Sequence, residues 1–166
     1  MSRPDGSPPP RGPGRRRLAV AAVAAVVAGV DLAAKAWAQT GLSSAGIEAG
    51  PLDLRLAYNP GVAFSLGADA PAWLVVAVTA AITGVVAVFA WRSAKGGGRA
   101  QLAALALVLG GAVANLVDRA ADGVVTDYLH TGWWPTFNLA DTAIVTGGLL
   151  FAVTSWRGHA PVRTTA

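Results

Sequence analysis

From Ala72 to Trp91 twenty consecutive residues carry no charge. A helix rising 1.5 Å per residue needs roughly 20 residues to cross ~30 Å of hydrocarbon, so this run predicts a membrane-spanning helix. Three further stretches qualify on the same ground. Leu18 to Trp37 has no charge before Asp31, Ala100 to Val117 is uncharged throughout, and Leu139 to Trp156 carries only Asp141 near its start. The glycines inside them, Gly84, Gly110, Gly111, Gly147 and Gly148, suit membrane helices, where small residues let backbones approach closely. The predicted fold class is an α-helical integral membrane protein with four spans, about 18–37, 72–91, 100–117 and 139–156.

Composition agrees. Apolar residues make up 54% and charged residues 13%, with a mean hydropathy of +0.49, whereas a soluble domain is about a quarter charged. The net charge of +4 does not imply nucleic acid, because the basic residues sit at the ends of apolar stretches. The absence of Cys excludes disulfides, thiol catalysis and thiolate metal sites. With only His130 and His159 present, a His-rich metal site is not expected.

Lys and Arg set the orientation. The N-terminal segment holds Arg3, Arg11, Arg15, Arg16 and Arg17; the loop between spans two and three holds Arg92, Lys95 and Arg99; the C-terminal segment holds Arg157 and Arg163. The other two loops hold only Arg55 and Arg119. The positive-inside rule therefore puts both termini in the cytoplasm and segments 38–71 and 118–138 outside. Trp37, Trp73, Trp91 and Trp156 fall at span ends as an aromatic belt would. Residues 1–17, rich in Pro, Gly and Arg, read as a disordered basic cytoplasmic tail. Residues 18–157 read as the membrane domain, and 158–166 as a second cytoplasmic tail. Residues 1–38 have the outline of a signal peptide, but Asp31 and Lys35 argue for retention.

Between the first and second spans, Leu52 to Tyr58 begins with a strand-like alternation and Asn59-Pro60-Gly61 reads as a turn. A small extracytoplasmic β element is expected there.

Ionisable groups in a span cost about 2.5–3.5 kcal/mol each and need a reason. Asp31 and Lys35 are four apart, share one helix face, and read as an ion pair fixing helix packing. At the outer face lie Asp118, Asp127 and Asp141, with Asp122 nearby. Two carboxylates in a poorly solvated place share a proton and titrate as a unit. One then activates a water while the protonated partner polarises a carbonyl, giving peptide hydrolysis without a metal, Ser or Cys nucleophile. Spacing leaves open whether Asp118 or Asp127 partners Asp141. Alone, Asp141 is equally a first-turn carboxylate favoured by a helix dipole. Asn115 is equally an interhelical hydrogen bonder, and Arg119 equally a counter-ion of Asp118. Trp133-Trp134 reads as an interfacial anchor, and His130 as a surface loop residue.

Five blocks occur in order: Asp31 to Lys35, Asn59 to Phe64, Gly110 to Arg119, Val125 to Leu129, and Phe137 to Asp141. Together they resemble lipoprotein signal peptidases (signal peptidase II) over roughly residues 18–157. The resemblance implies a four-span aspartyl endopeptidase with Asp127 and Asp141 as catalytic groups. It implies that Asn59, Asn115, Arg119 and Asn138 line the substrate site, and that Asp118, Asp31 and Lys35 support it. It further implies cleavage of prolipoprotein signal peptides just before a diacylglyceryl-modified Cys, with no cofactor. The partners would be lipid-modified prolipoproteins and membrane lipid, with no nucleic acid and a monomeric enzyme. Three features depart from the family pattern. Pro60 stiffens the turn after Asn59, Asp127 and Asp141 stand only fourteen positions apart, and Thr126 stands where an apolar residue is expected. A small proton-coupled transporter is the alternative from another class, with Asp31, Lys35 and Asp141 as a relay. It predicts polar groups spread through the membrane depth, whereas here they gather at one face. A non-enzymatic scaffold would need no paired aspartates at all.

Overall fold

The computed structural model describes residues 12–43, 45–61 and 71–157. Its elements run α1 (Pro13–Gly41), β1 (Asp53–Asn59), α2 (Ala72–Ser93), α3 (Arg99–Asp122), β2 (Val125–His130) and α4 (Leu139–Arg157). All four helices are long and apolar enough to cross a membrane. The chain is a multi-pass membrane protein. Trp37, Trp73, Trp91 and Trp156 are all exposed at helix ends.

The helix α3 is the hub, packing against α1, α2 and α4. Glycine permits this. A Cβ on Gly110 would stand 2.7 Å from the Ala24 carbonyl oxygen of α1, and one on Gly111 would collide with the Ala140 carbonyl oxygen of α4. A Cβ on Gly147 of α4 would stand 2.7 Å from the Ala104 carbonyl oxygen of α3. Without a hydrophobic driving force between helices in lipid, such close van der Waals packing holds a bundle together. The helix α2 buries only Thr83 and Ala90, leaving most of its apolar surface for lipid.

Two helices overrun their expected bounds. Pro13 to Arg17, expected in the disordered tail, form the first turns of α1. Proline at N1 loses no hydrogen bond and is preset for a helix. The Arg17 guanidinium then lies 4.2 Å from the Trp91 ring centre, a cation–π contact. The remainder of that tail, residues 1–11, and the segment 158–166 lie outside the described residues, as do positions 62–70 of the first outer segment. At its far end α3 continues five residues past Val117. Asp118 and Arg119 are therefore helical, although Arg119 was expected in the outer loop. Gly123 stops the helix with φ 87°, its N–H bonding to the Arg119 carbonyl at 2.8 Å.

The expected β element is present, and its partner comes from the other outer segment. β1 pairs antiparallel with β2, matching Ala57 with Asp127, Tyr58 with Thr126 and Asn59 with Val125. The register shifts between Leu54 and Ala57, a bulge of the kind that re-aims side chains near sites. Leu54, Leu56 and Leu129 close a small core with Ala38, Leu42 and Tyr128, seating the sheet on the end of α1.

Candidate active site

A buried polar cluster lies where the sheet meets the helix ends. Asn115, Asp118 and Arg119 lie at i, i+3 and i+4, and so on one face of α3. Asp31 and Lys35 do the same on α1 and are 1% and 2% exposed. Lys35 Nζ sits 2.9 Å from Asp31 Oδ2 and 3.1 Å from Asp118 Oδ2, and donates to Asn115 Oδ1 at 2.7 Å. The ammonium thus faces two carboxylates and one amide oxygen. Asp31 Oδ1 also accepts the Ala140 N–H at 2.8 Å. The pair thus binds α1 to both α3 and the start of α4.

The opening of α4 carries Asp141. Asn138 Oδ1 accepts the Asp141 N–H at 2.9 Å, and Asp141 Oδ2 accepts the Asn138 N–H at 3.4 Å. This reciprocal cap satisfies two orphan N–H groups. Asp141 Oδ1 accepts from Asn115 Nδ2 at 2.8 Å. Each of these contacts is with an N–H donor.

The strand β2 delivers Asp127, 2% exposed. Asn138 Nδ2 donates to its Oδ1 at 2.7 Å, so one amide touches both aspartates. Asn59 hydrogen-bonds the same carboxyl. Burial, and then the charge of Asp141, push the Asp127 carboxyl up to about 6; bonds from Asn138 and Asn59 and the charge of Lys35 pull the other way. Asp118 is occupied elsewhere, accepting the Thr126 N–H at 2.7 Å besides its ion pair with Lys35.

Arg119 is 8% exposed and within electrostatic reach of Asp127, Asp118 and Asp141. Its Nη2 approaches the Asn59 carbonyl at 3.4 Å, while its Nε is buried and has no hydrogen-bond partner among the described residues. Gly61, with φ 85°, leaves room for this guanidinium, since a Cβ there would stand 2.9 Å from Nη2. Beside Asp141 opens a cavity of about 440 Å³ whose wall includes Trp133, Trp134, Phe137 and Val145. Trp133 and Trp134, expected as anchors, meet edge-to-face with ring centres 5.7 Å apart on this wall. Among the described residues no three His, Asp or Glu side chains gather as a metal-binding group.

Known proteins resemble this chain in sequence and in fold. The family described as Signal peptidase (SPase) II matches residues 23–157. The chain belongs to the signal peptidase II family. It is a peptidase, and the transporter reading falls. A lipoprotein signal peptidase of Rhodococcus jostii (strain RHA1) is 38% identical, over 95% of this chain and 83% of that protein. Another, of Xanthomonas oryzae pv. oryzae (strain PXO99A), is 38% identical over 79% and 84% respectively. A bacterial membrane enzyme structure obtained by the in meso method superposes with a TM-score of 0.74 at 20% identity, covering 89% of this chain and 93% of that one. It shares the fold.

Within this signal peptidase II bundle the residues expected at the site, Asn59, Asn115, Asp118, Arg119, Asp127, Asn138 and Asp141, lie in one connected cluster, with Asp31 and Lys35 behind it. One contributor escaped the sequence. Gln39 Nε2 donates to Thr126 Oγ1 at 2.8 Å, tying the end of α1 to the residue before Asp127. Thr126 is fully buried, and its hydroxyl also reaches Asp118 Oδ1 at 3.4 Å. The polar residue at a position expected to be apolar was the available signal. The His130 ring bonds the Thr136 hydroxyl at 3.2 Å, away from the aspartates.

Proposed function

We propose that this peptidase removes signal peptides from lipid-modified prolipoproteins, cutting before the lipidated Cys with Asp127 and Asp141 as its dyad. The observation that carries this reading is the bridging of both aspartates by Asn138 beside an apolar cavity. It rests also on family membership and on relatives that are lipoprotein signal peptidases.

Asp127, raised to about 6, suits the protonated partner. Asp141, held by N–H donors, suits the carboxylate base. Asp141 takes a proton from water, the water oxygen bonds to the scissile carbonyl carbon, and Asp127 gives its proton to the carbonyl oxygen. As the tetrahedral species collapses, one of its two hydroxyls returns a proton to Asp127, the C–N bond breaks, and the amine takes the proton held on Asp141. The products are the signal peptide carboxylate and the amino group of the Cys. The Arg119 Nε, unpartnered among the described residues, offers a donor to a substrate carbonyl. The cavity walled by Trp133, Trp134 and Phe137 offers an apolar bed for the lipidated segment.

In orientation, Arg15, Arg16, Arg17, Arg92, Lys95 and Arg99 lie at the bundle end opposite the aspartates, which supports cytoplasmic termini and an extracytoplasmic site. The test is cleavage of a diacylglyceryl-modified prolipoprotein by the purified protein beside Asp127→Asn and Asp141→Asn. Cleavage lost in both folded variants and indifferent to chelator is expected. Activity retained by Asp127→Asn and lost by Asp118→Asn would make Asp118 the partner.

A further inference from the structure

At the end of the bundle away from the aspartates, α1 and α3 enclose a second cavity of about 370 Å³. Arg15, Arg16 and Arg99 line it, and Val20, Leu102 and Ala103 belong to its apolar wall. Among the described residues none of these arginines stands within ion-pair distance of a carboxylate; the ion pairs there are those of Lys35 and Arg55. Arg16 does donate to the Gly97 carbonyl, fastening α1 to the loop before α3.

The charge is unusually placed. Both α1 and α3 begin here, neither has a side-chain cap, and neither has an acidic residue in its first turn. A helix N-terminus presents free N–H groups and the positive end of a dipole, so it favours anions and disfavours cations. Here two such ends and three guanidinium groups converge, and among the described residues no carboxylate pairs with those guanidiniums. A phosphate would satisfy the guanidinium forks and the helix ends together. A free phosphate would leave the apolar wall unused; an acyl chain running down the same groove would cover it.

We propose that this cavity is a binding site for one anionic phospholipid, its phosphate on Arg15, Arg16 and Arg99 and an acyl chain along Val20, Leu102 and Ala103. In the orientation proposed above the lipid belongs to the cytoplasmic leaflet, where basic pockets between helices bind anionic head groups. Binding itself does not depend on that orientation. The bound lipid clamps α1 to α3, the helices whose other ends hold Lys35 and Asp118.

The test uses the full chain in detergent micelles doped with dioleoylphosphatidylglycerol or dioleoylphosphatidylcholine. Retained lipid is counted by native mass spectrometry, and melting is followed by circular dichroism. Phosphatidylglycerol should be retained at one copy and raise the melting temperature, and phosphatidylcholine should do neither. Arg15→Gln with Arg99→Gln should weaken retention more than tenfold, at roughly fivefold per arginine. Ala103→Trp, at an exposed position that fills the groove, should weaken it as well. Arg92→Gln, outside the cavity, should change it by less than about twofold. Equal retention of phosphatidylcholine, or an Arg92→Gln effect matching the double variant, would reduce the site to diffuse membrane charge. Displacement by millimolar glycerol phosphate alone would make it a free-anion site. Should the double variant not fold, Arg15→Gln alone, at its exposed position, takes its place: weakened retention supports the site and unchanged retention overturns it. Folding is read from helical circular dichroism, so the outcome stands whatever the peptide substrate proves to be.

Discussion

Asn138 Nδ2 lies 2.7 Å from Asp127 Oδ1, while the same side chain, through its Oδ1, accepts the Asp141 N–H at 2.9 Å. One residue therefore caps α4 and sets the relation of the two carboxyl groups. Both roles are probed by substitution. Asn138→Asp keeps a side-chain oxygen for the Asp141 N–H but turns the amide donor into a third carboxyl in a fully buried place, so kcat should fall at least about tenfold, the worth of one hydrogen bond to a charged group, and the melting temperature should fall with it. Asn138→Ala should lose activity and about 1 kcal/mol of stability as well. Full activity in Asn138→Asp would show that the amide donor is dispensable.

The raised Asp127 carboxyl makes a pH prediction with a definite sign. Below about 6 it holds the proton that the dyad needs; above, it gives that proton up. The value of kcat/KM, which reports the free enzyme, should therefore fall as pH rises through this region. Stability follows the same direction. The unfolded chain ionises near the ordinary 3.8, so this group's contribution to folding declines as pH rises from there to about 6 and stays low beyond. Asp127→Asn should be inactive yet melt no lower than the parent at pH 7.5. A clearly lower melting temperature would mean that the ionised Asp127 is well compensated.

How much of this was legible beforehand follows physical lines. Spans are read from charge-free length because bilayer thickness is fixed, and Asp31 with Lys35 is read from helical spacing; both are local signals. The strand β1 shows its period, but β2 does not. Val125 to Leu129 shows no clean alternation around its single carboxylate, and its pairing partner lies some seventy residues earlier. Asp127 was accordingly expected in a loop. The Gln39 to Thr126 bond spans 87 positions and leaves no local trace beyond an out-of-place hydroxyl. The choice of Asp127 over Asp118 came from family resemblance. Its geometric support, Asp118 being engaged by Lys35 and the Thr126 N–H, exists only once the chain is folded.

That hydroxyl should matter to catalysis. Thr126→Val keeps shape and β-propensity but removes the bonds to Gln39 and Asp118, whereas Thr126→Ser keeps them. The expected pattern is a lowered kcat in the Val variant, by about 5- to 10-fold for one buried hydrogen bond, with KM little changed and activity restored in the Ser variant. Equal activity in all three would leave the bond with packing alone.

Backbone contact between α3 and α4 predicts intolerance at Gly111. The Ala140 carbonyl occupies the space that a methyl group would need, and Ala140 lies next to Asp141. Gly111→Ala should lower stability by roughly 1–3 kcal/mol, the usual toll of overpacking, and displace the start of α4 enough to reduce cleavage. Gly84, whose Cβ position is open, is the internal control, and Gly84→Ala should be nearly neutral. Similar melting shifts in the two variants would count against the close approach.

Lys35 offers the sharpest test of the scaffold behind the dyad. Its ammonium faces Asp31 and Asp118 at once and holds Asn115, which in turn holds Asp141. Removing one partner of a buried pair typically costs 3–5 kcal/mol, because a desolvated charge is left alone. Lys35→Met leaves two carboxylates in that position, so a loss of that order is expected in thermal unfolding. Adding Asp31→Asn removes one of them, so the double variant should be more stable than Lys35→Met alone, a coupling that a double-mutant cycle measures. Activity should not return with stability. The double variant restores no ammonium to Asn115 Oδ1, which keeps only the longer 3.2 Å bond from Asn138 Nδ2 and so holds its amide on Asp141 less firmly. If cleavage recovered together with stability, Lys35 would be a packing residue only. If neither changed in Lys35→Met, water or a rearranged neighbour would have to be neutralising Asp31 and Asp118.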